Sequence, residues 1–362
     1  MSAISCRLYY QSASPHIQQL YTGFRLLQRS GFVRLSQQRR ATPIRYESAA
    51  PHLKDAGHAH LDVLVNGKLR VHFDTHDAEE LALGELGNCD FYFKRSYRPE
   101  VVNSLPADQQ HKVLPLGLNY RVLPDVVDTL SMARALSLTG WSAPTLAAFK
   151  QALDTNNRLG FQPRVGLIQA EPDLRADPNV LFLVAAYDPY DDPHRSQEKI
   201  DDRIFINETR ARCLRLLKDA LGARFTGGFS HNRYAAEQYP DLVVPRGTTG
   251  QSQYLRTLRS FPICVATTGL HGSTGWKLAE YVAFSKAILS EKLVYEVPGT
   301  FTAEQNYIEF TSPEECLNGA VRLIENRALR QKLMQSNATY YREYLRPDAL
   351  VRNALTTALE QR

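Results

Sequence analysis

The 362-residue sequence has few cysteines and no long apolar run. Its five cysteines are well separated: Cys6, Cys89, Cys213, Cys264 and Cys316. Because their number is odd and no Cys-x-x-Cys occurs, a disulfide framework and a zinc ribbon both fit poorly, and buried, reduced thiols in a cytoplasmic protein are expected. The longest apolar run, residues 180–187, is far shorter than the ~18 residues that a membrane-spanning helix needs. The start of the chain has no apolar signal core, so secretion is not expected.

Acidic residues are missing from the start of the chain. None precedes Glu47, whereas seven arginines do: Arg7, Arg25, Arg29, Arg34, Arg39, Arg40 and Arg45. Such a start is typical of a transit peptide, but residues 6–34 have the pattern of strand, capped helix and strand. The basic stretch fits peripheral contact with an anionic membrane face or a phosphorylated acceptor, or a solvated surface without a partner. The arginines are not interleaved with a known module, so nucleic-acid binding is not expected.

Length and composition predict two globular domains, because 362 residues with 43% hydrophobic and 22% charged residues are ordinary values. In the first domain a strand at 6–10 is followed by a helix with Ser14 as its cap, Pro15 at its first position and Gly31 beyond its end. A second strand at 32–35 completes a parallel α/β start.

The first domain continues with a hairpin, in which Asn66-Gly67 separates strands at 60–65 and 69–73. Another strand is predicted at 90–93 and a helix at 142–153. The region from 156 to 177, rich in proline and polar residues, predicts the hinge between the domains.

The second domain repeats the α/β rhythm. The apolar run 180–187 predicts a strand covered on both faces, followed by a helix capped by Asn207 and ending at Gly222. Further strands are predicted at 224–229, 241–244, 261–267, 287–290 and 307–310, with a helix at 274–284. The last fifty residues are predicted to be helical from a cap at Ser312. Two such domains bind ligands in the cleft outside the carboxyl ends of their strands.

The most informative segment is 261–291, in which an apolar strand enters a glycine-rich turn and the turn enters a helix. Backbone amides at a helix start favour a phosphate, and glycines allow close approach. The residues predicted to surround the diphosphate are His271, Gly272, Ser273, Thr274 and Gly275. Lys277 can neutralise a second charge, and Glu280, one turn deeper, suits ribose hydroxyls. The pattern is neither a Walker loop nor a Gly-x-Gly-x-x-Gly fingerprint, which disfavours ATP hydrolysis and NAD binding.

This segment, with Pro298-Gly299 and Asn306-Tyr307, resembles the donor half of a GT-B glycosyltransferase of the "glycosyl transferases group 1" type, found among bacterial surface-glycan enzymes. In those proteins a Gly/Ser-rich turn leads into a Lys-Leu-x-Glu helix and then a short apolar strand. Lys277-Leu-Ala-Glu280 and Ser285-Lys-Ala-Ile-Leu-Ser290 take those places here. The similarity is clear over residues 180–350 and faint before them.

The resemblance implies two Rossmann-like α/β lobes with a deep interdomain cleft and a helical C-terminus. It predicts an acceptor-side lobe at 1–165, a donor lobe at 166–340 and a helix at 341–362 that returns toward the first lobe. It also implies transfer of a sugar from a nucleotide-diphosphate donor to a glycan or lipid-linked acceptor, in polysaccharide or glycoconjugate synthesis, by a cytoplasmic protein or one peripheral at the inner membrane face.

One departure from the family pattern concerns mechanism. Many relatives carry Glu-x7-Glu, and the place of the first glutamate is taken here by Gly272, so the stereochemical outcome stays open. No Asp-x-Asp occurs in the sequence. We therefore expect no metal and no cofactor besides the nucleotide-sugar substrate, with the leaving diphosphate stabilised by Lys277, Arg210 and His271.

The acceptor side has weaker signals. Inverting transfer needs a base, and Asp74-Thr-His76-Asp77 follows a strand end, so Asp74 and Asp77 are the first candidates and His76 the third. A turn held by Asx hydrogen bonds is the alternative. Lys94 and Arg95 are candidate contacts for an anionic acceptor or the donor phosphates, or else an exposed basic turn. At the level of function, the alternatives are a nucleotide-sugar epimerase or hydrolase, and a non-catalytic partner of a transferase that binds nucleotide sugar.

Overall fold

A computed structural model describes residues 3–10, 14–40, 59–125 and 163–361. The helix predicted at 142–153 and the start of the predicted hinge lie outside these ranges. The chain divides into two compact units. Unit 1 comprises Met1–Leu167, Tyr295–Thr300 and Arg342–Arg362, and unit 2 comprises Ile168–Val294 and Phe301–Tyr341.

Each unit is built on one sheet. The strands, in chain order, are β1 Ile4–Tyr10, β2 Val33–Arg39, β3 His60–Val65, β4 Leu69–Asp74, β5 Phe91–Lys94, β6 Val113–Pro115, β7 Val180–Val184, β8 Phe225–Phe229, β9 Ile263–Ala266, β10 Ala287–Glu291 and β11 Tyr307–Phe310. The helices are α1 Gln18–Arg29, α2 Leu83–Asn88, α3 Pro99–Asn103, α4 Ala107–Gln110, α5 Gln197–Leu221, α6 Arg233–Gln238, α7 Gln251–Ser260, α8 Trp276–Ala283, α9 Pro313–Glu325, α10 Arg327–Tyr340 and α11 Pro347–Glu360.

The sheet of unit 1 is mixed, in the order β2-β1-β3-β4-β5-β6. Strands β1 and β2 are parallel as predicted, and so are β4, β5 and β6. The Asn66-Gly67 hairpin makes β3 antiparallel to both β1 and β4. Both turn residues have positive φ, 50° and 69°, which this tight turn requires. The hairpin therefore inserts one reversed strand into an otherwise parallel sheet.

Helices α1 and α11 cover one face of this sheet. Ser14 caps the short 3-10 turn Pro15–Ile17 that leads into α1, and Gly31, with φ +75°, follows the end of α1, as predicted. The two helices pack so closely that a Cβ on Gly23 would lie 2.1 Å from the carbonyl oxygen of Pro347. Side chains of both helices join those of β1, β3 and β4 in one apolar core.

The sheet of unit 2 is parallel throughout, in the order β11-β10-β9-β7-β8. All five side chains of β7 are buried, as expected for a strand covered on both faces. Helices α5, α6, α9 and α10 contribute to its apolar core. Two α/β units and a helical C-terminus confirm the predicted fold class.

Most predicted elements of unit 2 are present, with two corrections. Helix α5 begins at Gln197, so Asn207 is not its cap and Arg210 does not lie in its first turn. Asn207 is buried in mid-helix, where its side chain bonds both the N–H and the carbonyl oxygen of Tyr187, at 2.9 and 2.7 Å. The strand predicted at 241–244 makes only an isolated bridge between Phe229 and Val243. Among the helices that the structure describes, none is both long enough and apolar enough to span a bilayer.

Candidate functional site

The glycine-rich turn of unit 2 lies between β9 and α8, at the carboxyl edge of the parallel sheet. It contains the 3-10 turn Leu270–Gly272, and Gly275 is the N-cap of α8. Gly272 has φ +64°, which side chains rarely tolerate. The N–H of Ser273 donates to the carbonyl oxygen of Leu270 at 3.1 Å, so that amide supports the turn itself. At the start of α8 the helix dipole favours negative charge, while the N–H of Leu278 in its first turn donates to the carbonyl oxygen of Gly275 at 3.1 Å.

Lys277 and Glu280 lie together on α8, both half-buried. The hydroxyl of buried Tyr254 on α7 donates to Oε2 of Glu280 at 2.7 Å, and Nζ of Lys277 lies 4.2 Å from the centre of the Tyr254 ring. Burial raises the pKa of Glu280, although Lys277 and Tyr254 act in the opposite direction. Burial likewise lowers the pKa of Lys277, opposed by Glu280. Tyr254 therefore contacts both the ammonium of Lys277 and the carboxylate of Glu280.

Arg210 is buried beneath the same turn. Its guanidinium donates to Oγ1 of Thr267 at 3.0 Å and to the carbonyl oxygens of Ala185 and Thr268 at 2.8 and 2.9 Å. It therefore ties the end of β7 to the residues that follow β9. The phosphate contact predicted for Arg210 stays a prediction, since three of its N–H groups already bond protein oxygens.

The turn has a second support that the sequence did not reveal. Oε2 of Glu291, the last residue of β10, accepts hydrogen bonds from the N–H and from Oγ1 of Thr268, both at 2.7 Å. The backbone of His271 belongs to the 3-10 turn, while its side chain lies outside the described part of the structure. The donor-side residues of the prediction are therefore brought together around one turn.

In unit 1, Asp74 and Lys94 end the neighbouring parallel strands β4 and β5. Both are fully buried, and Nζ of Lys94 lies 3.0 Å from Oδ2 of Asp74. The same oxygen accepts from the hydroxyl of Tyr92, and Oδ1 accepts from the N–H of His76 at 2.9 Å. That last bond is an Asx turn, the alternative that the sequence left open. Burial acts to raise the pKa of Asp74, but Lys94 and the other partners outweigh it, and the pKa lies below its usual value.

Asp77, His76 and Arg95 lie just beyond those strand ends. The buried guanidinium of Arg95 donates to Oδ1 of Asp77, whose own side chain is 45% exposed. Ser96 bonds the carbonyl oxygens of His76 and Asp77, at 3.2 and 2.6 Å, and so joins the two loops. His76 is half-buried, and burial lowers its pKa. The five acceptor-side residues of the prediction form one cluster, with Asp74 and Lys94 inside it and Asp77 at its surface.

His16 belongs to the same cluster and was missed. Its Nδ1 lies 3.2 Å from Nη1 of Arg95, and burial lowers its pKa. A neutral imidazole that accepts at Nδ1 carries its hydrogen on Nε2. One sequence signal could have revealed His16. It lies in the first helical turn after β1, and Asp74 and Lys94 likewise lie at strand ends.

Comparisons with known proteins give matches among solved structures alone. No protein-family model matches the chain, and no curated protein matches it. Among solved structures, the C-terminal domain of LpcC, a glycosyl transferase group 1 family protein from Francisella tularensis, aligns at 13% identity over 49% of this chain and 95% of that domain, with a TM-score of 0.32.

Two further structures align over more of the chain. TarM from S. aureus is 14% identical over 84% of this chain and 63% of its own length, with a TM-score of 0.36. A UDP-GlcNAc 2-epimerase from Neisseria meningitidis, solved with UDP-GlcNAc, is 13% identical over 95% of this chain and 72% of its own, with a TM-score of 0.37. The family that the sequence resembles is thus found among similar structures. All three TM-scores are below 0.5.

Proposed function

We propose that this chain is a glycosyltransferase that moves a sugar from a nucleotide-diphosphate donor to a hydroxyl of a glycan or lipid-linked acceptor. The observation that carries the proposal is the contact of Tyr254 on α7 with both Lys277 and Glu280 on α8, the helix that directly follows a glycine-rich turn at the carboxyl edge of a parallel sheet. A carboxylate suits the ribose hydroxyls, and an ammonium with first-turn amides suits the diphosphate.

Unit 1 supplies the base in this proposal. The acceptor hydroxyl attacks the anomeric carbon, the bond from that carbon to the diphosphate oxygen breaks, and the hydroxyl proton passes to Asp77. We assign the base to Asp77 because its carboxylate is exposed, whereas that of Asp74 has no exposed surface and accepts from Tyr92, Lys94 and His76. Lys277 stabilises the charge that develops on the leaving diphosphate.

Replacing Asp77 with asparagine tests the reaction. We expect the rate of acceptor-dependent release of nucleoside diphosphate to fall by about 10²–10⁴-fold, the usual contribution of a general base. Affinity for the donor should change little, because asparagine keeps the size of Asp77 and the proposed donor contacts of Lys277 and Glu280 are unaltered. Donors are first identified by thermal shift against a panel of UDP-, GDP- and dTDP-sugars.

The matched control is Glu79→Gln, a nearby acid that pairs with Arg98 at the surface. Equal rates in the Asp77→Asn variant and the control would overturn the base assignment. Donor rearrangement or hydrolysis at full rate without any acceptor would identify an epimerase or a hydrolase instead. Donor binding with no turnover on any acceptor would identify a non-catalytic binding protein.

Replacing Gly275 with alanine tests the donor site. Gly275 has φ −67° and ψ 153°, which any residue adopts, and a Cβ there would meet only the carbonyl oxygen of Thr267, at 4.0 Å. We therefore expect unchanged thermal stability but donor binding weaker by about tenfold or more, about 1.4 kcal/mol, because the methyl group takes the space of the diphosphate. Calorimetric titration with the donor found above measures the affinity, and thermal unfolding measures the stability.

The control for this variant is Gly84→Ala in unit 1, where an added Cβ meets nothing within 4 Å. Donor affinity in Gly84→Ala should equal that of the unmodified chain. An unchanged affinity in Gly275→Ala would show that no ligand approaches the N-cap of α8, which would remove the donor site from the proposal.

A further inference from the structure

One face of the unit 1 sheet carries polar side chains that the proposed reaction does not use. Asp62 on β3 and His72 on β4 are opposite each other in the antiparallel register, and Nδ1 of His72 lies 2.7 Å from Oδ1 of Asp62. Tyr9 and Tyr92 continue the same row on the neighbouring strands. His72 has no exposed surface, so this row places an imidazole and a carboxylate together inside the unit.

Glu85, in the first turn of α2, completes the group. One nitrogen or oxygen atom from each of Asp62, His72 and Glu85 lies within 4.8 Å of the other two. An imidazole with two carboxylates is a donor set typical of Zn²⁺ and related transition metals, whereas Mg²⁺ and Ca²⁺ prefer oxygen ligands alone. These three side chains therefore supply ligands of the number and kind that a protein site for such a metal ion uses.

A cation already lies between the two carboxylates. Nη1 of Arg40 donates to Asp62, and its Nη2 donates to Glu85 at 2.9 Å. The carboxylates therefore face one positively charged group in a half-buried place. Arg40 carries one positive charge and the two carboxylates carry two negative charges, so the group has a net negative charge. A divalent ion in the place of the guanidinium would balance it.

The imidazole has an unused nitrogen. Among the described residues, Nε2 of His72 has no hydrogen-bond partner, and the ring packs against those of His60 and Tyr92 with centroids 5.5 and 4.6 Å away. The nitrogen that faces Asp62 is Nδ1. A fully buried imidazole therefore joins the two carboxylates as a third donor of a type that transition metals bind.

A cavity of about 490 Å³ gives access to the group, and Arg40, Asp62, Glu85 and Cys89 belong to its wall. It has room for water ligands and for a displaced arginine side chain. Cys89 is not one of the three grouped donors, and its thiol donates to the carbonyl oxygen of Leu86.

We propose that Asp62, His72 and Glu85 bind one divalent transition-metal ion of the Zn²⁺ class, and that the guanidinium of Arg40 competes with the ion for both carboxylates. This site is separate from the donor site, for which the sequence predicts no metal. It does not depend on the proposed transfer reaction, so either can fail without the other.

The test is calorimetric titration of the full chain with Zn²⁺ after chelator treatment, with metal content measured in parallel. We expect one ion per chain, binding at least tenfold tighter in Arg40→Gln, where the competitor is gone. Binding should weaken at least tenfold in His72→Ala and in Glu85→Gln. Zn²⁺ should raise the unfolding temperature of the unmodified chain and of Arg40→Gln.

Two controls make the outcome decisive. His111→Ala removes an exposed histidine of the same unit and should leave Zn²⁺ affinity unchanged. Asp62→Asn is a second ligand variant, should His72→Ala fail to fold. The proposal is overturned if Arg40→Gln binds Zn²⁺ no more tightly than the unmodified chain, or if the ligand variants bind it equally well, since a simple ion-pair network would then explain the cluster.

Discussion

Replacing Lys94 with alanine is expected to lower the free energy of unfolding of unit 1 by about 3–5 kcal/mol. Lys94 and Asp74 are 1% and 0% exposed, and their charged atoms are 3.0 Å apart. Removing the ammonium leaves an uncompensated carboxylate in the interior, next to a cavity the size of the lost side chain. Urea unfolding followed by circular dichroism measures the change.

Three variants separate the charge effect from the loss of volume. Lys68→Ala removes an exposed lysine of the same unit and should change stability by no more than about 0.5 kcal/mol. Lys94→Met keeps most of the volume and should still destabilise, because Asp74 remains unpaired. Adding Asp74→Asn to Lys94→Met should recover part of the loss. A Lys94→Ala variant as stable as Lys68→Ala would show that the pair does not hold the strand ends together.

Replacing Glu280 with alanine is expected to weaken donor binding by about 100-fold, or about 3 kcal/mol. The proposed hydrogen bonds to ribose hydroxyls are lost, and these bonds to a charged group are worth about 1.5–3 kcal/mol. Lys277 also loses the neighbour that supports its charge, and Tyr254 loses its acceptor. Calorimetric titration with the donor nucleotide sugar measures the affinity, and thermal unfolding checks that unit 2 is intact.

The pH dependence of donor binding tests whether the carboxylate of Glu280 is the group that binds the donor. Burial raises the pKa of Glu280 above its usual value, against the effect of Lys277 and Tyr254. As pH falls from neutrality, Glu280 therefore gains a proton at a higher pH than an ordinary glutamate, and donor affinity should fall with it. A nucleotide sugar does not itself titrate in this window, because its diphosphate is esterified at both ends.

Glu280→Gln keeps the size of the side chain and removes its charge. This variant should bind the donor weakly, with little dependence on pH between 5 and 8. Tyr254→Phe removes the hydrogen bond while leaving the carboxylate, so its loss of affinity should be much smaller than that of Glu280→Ala. If Glu280→Ala binds the donor as well as the unmodified chain does, the carboxylate does not contact the nucleotide sugar.

The sequence predicted the elements whose signals are local. The hairpin at Asn66-Gly67, the cap at Ser312 and the order of strand, glycine turn and helix around Gly275 depend on residues next to one another. The start of α5 had no such signal. Its first ten residues are exposed or half-buried, so no apolar stripe marks them, and the prediction began at Asn207, where burial begins.

The contacts that support the two sites could not be predicted, because their partners are far apart in the chain. Tyr254 and Glu280 are 26 residues apart, Thr268 and Glu291 are 23 apart, and His16 and Arg95 are 79 apart. Lys94 shows the same limit, since a Lys-Arg pair after a strand indicates an exposed basic turn as readily as a buried ion pair. Only the register of β4 and β5 places its ammonium against Asp74.

The packing of α11 on α1 has a consequence for how the protein is made. The apolar core that encloses Phe24 and Leu61 also contains Leu350, Val351 and Leu355, from the last helix of the chain. A ribosome adding roughly 5–20 residues per second delivers that helix many seconds after the first strands have emerged. During this interval the nascent N-terminal half exposes one side of its sheet, and unit 1 closes only after α11 has been made and packs on α1.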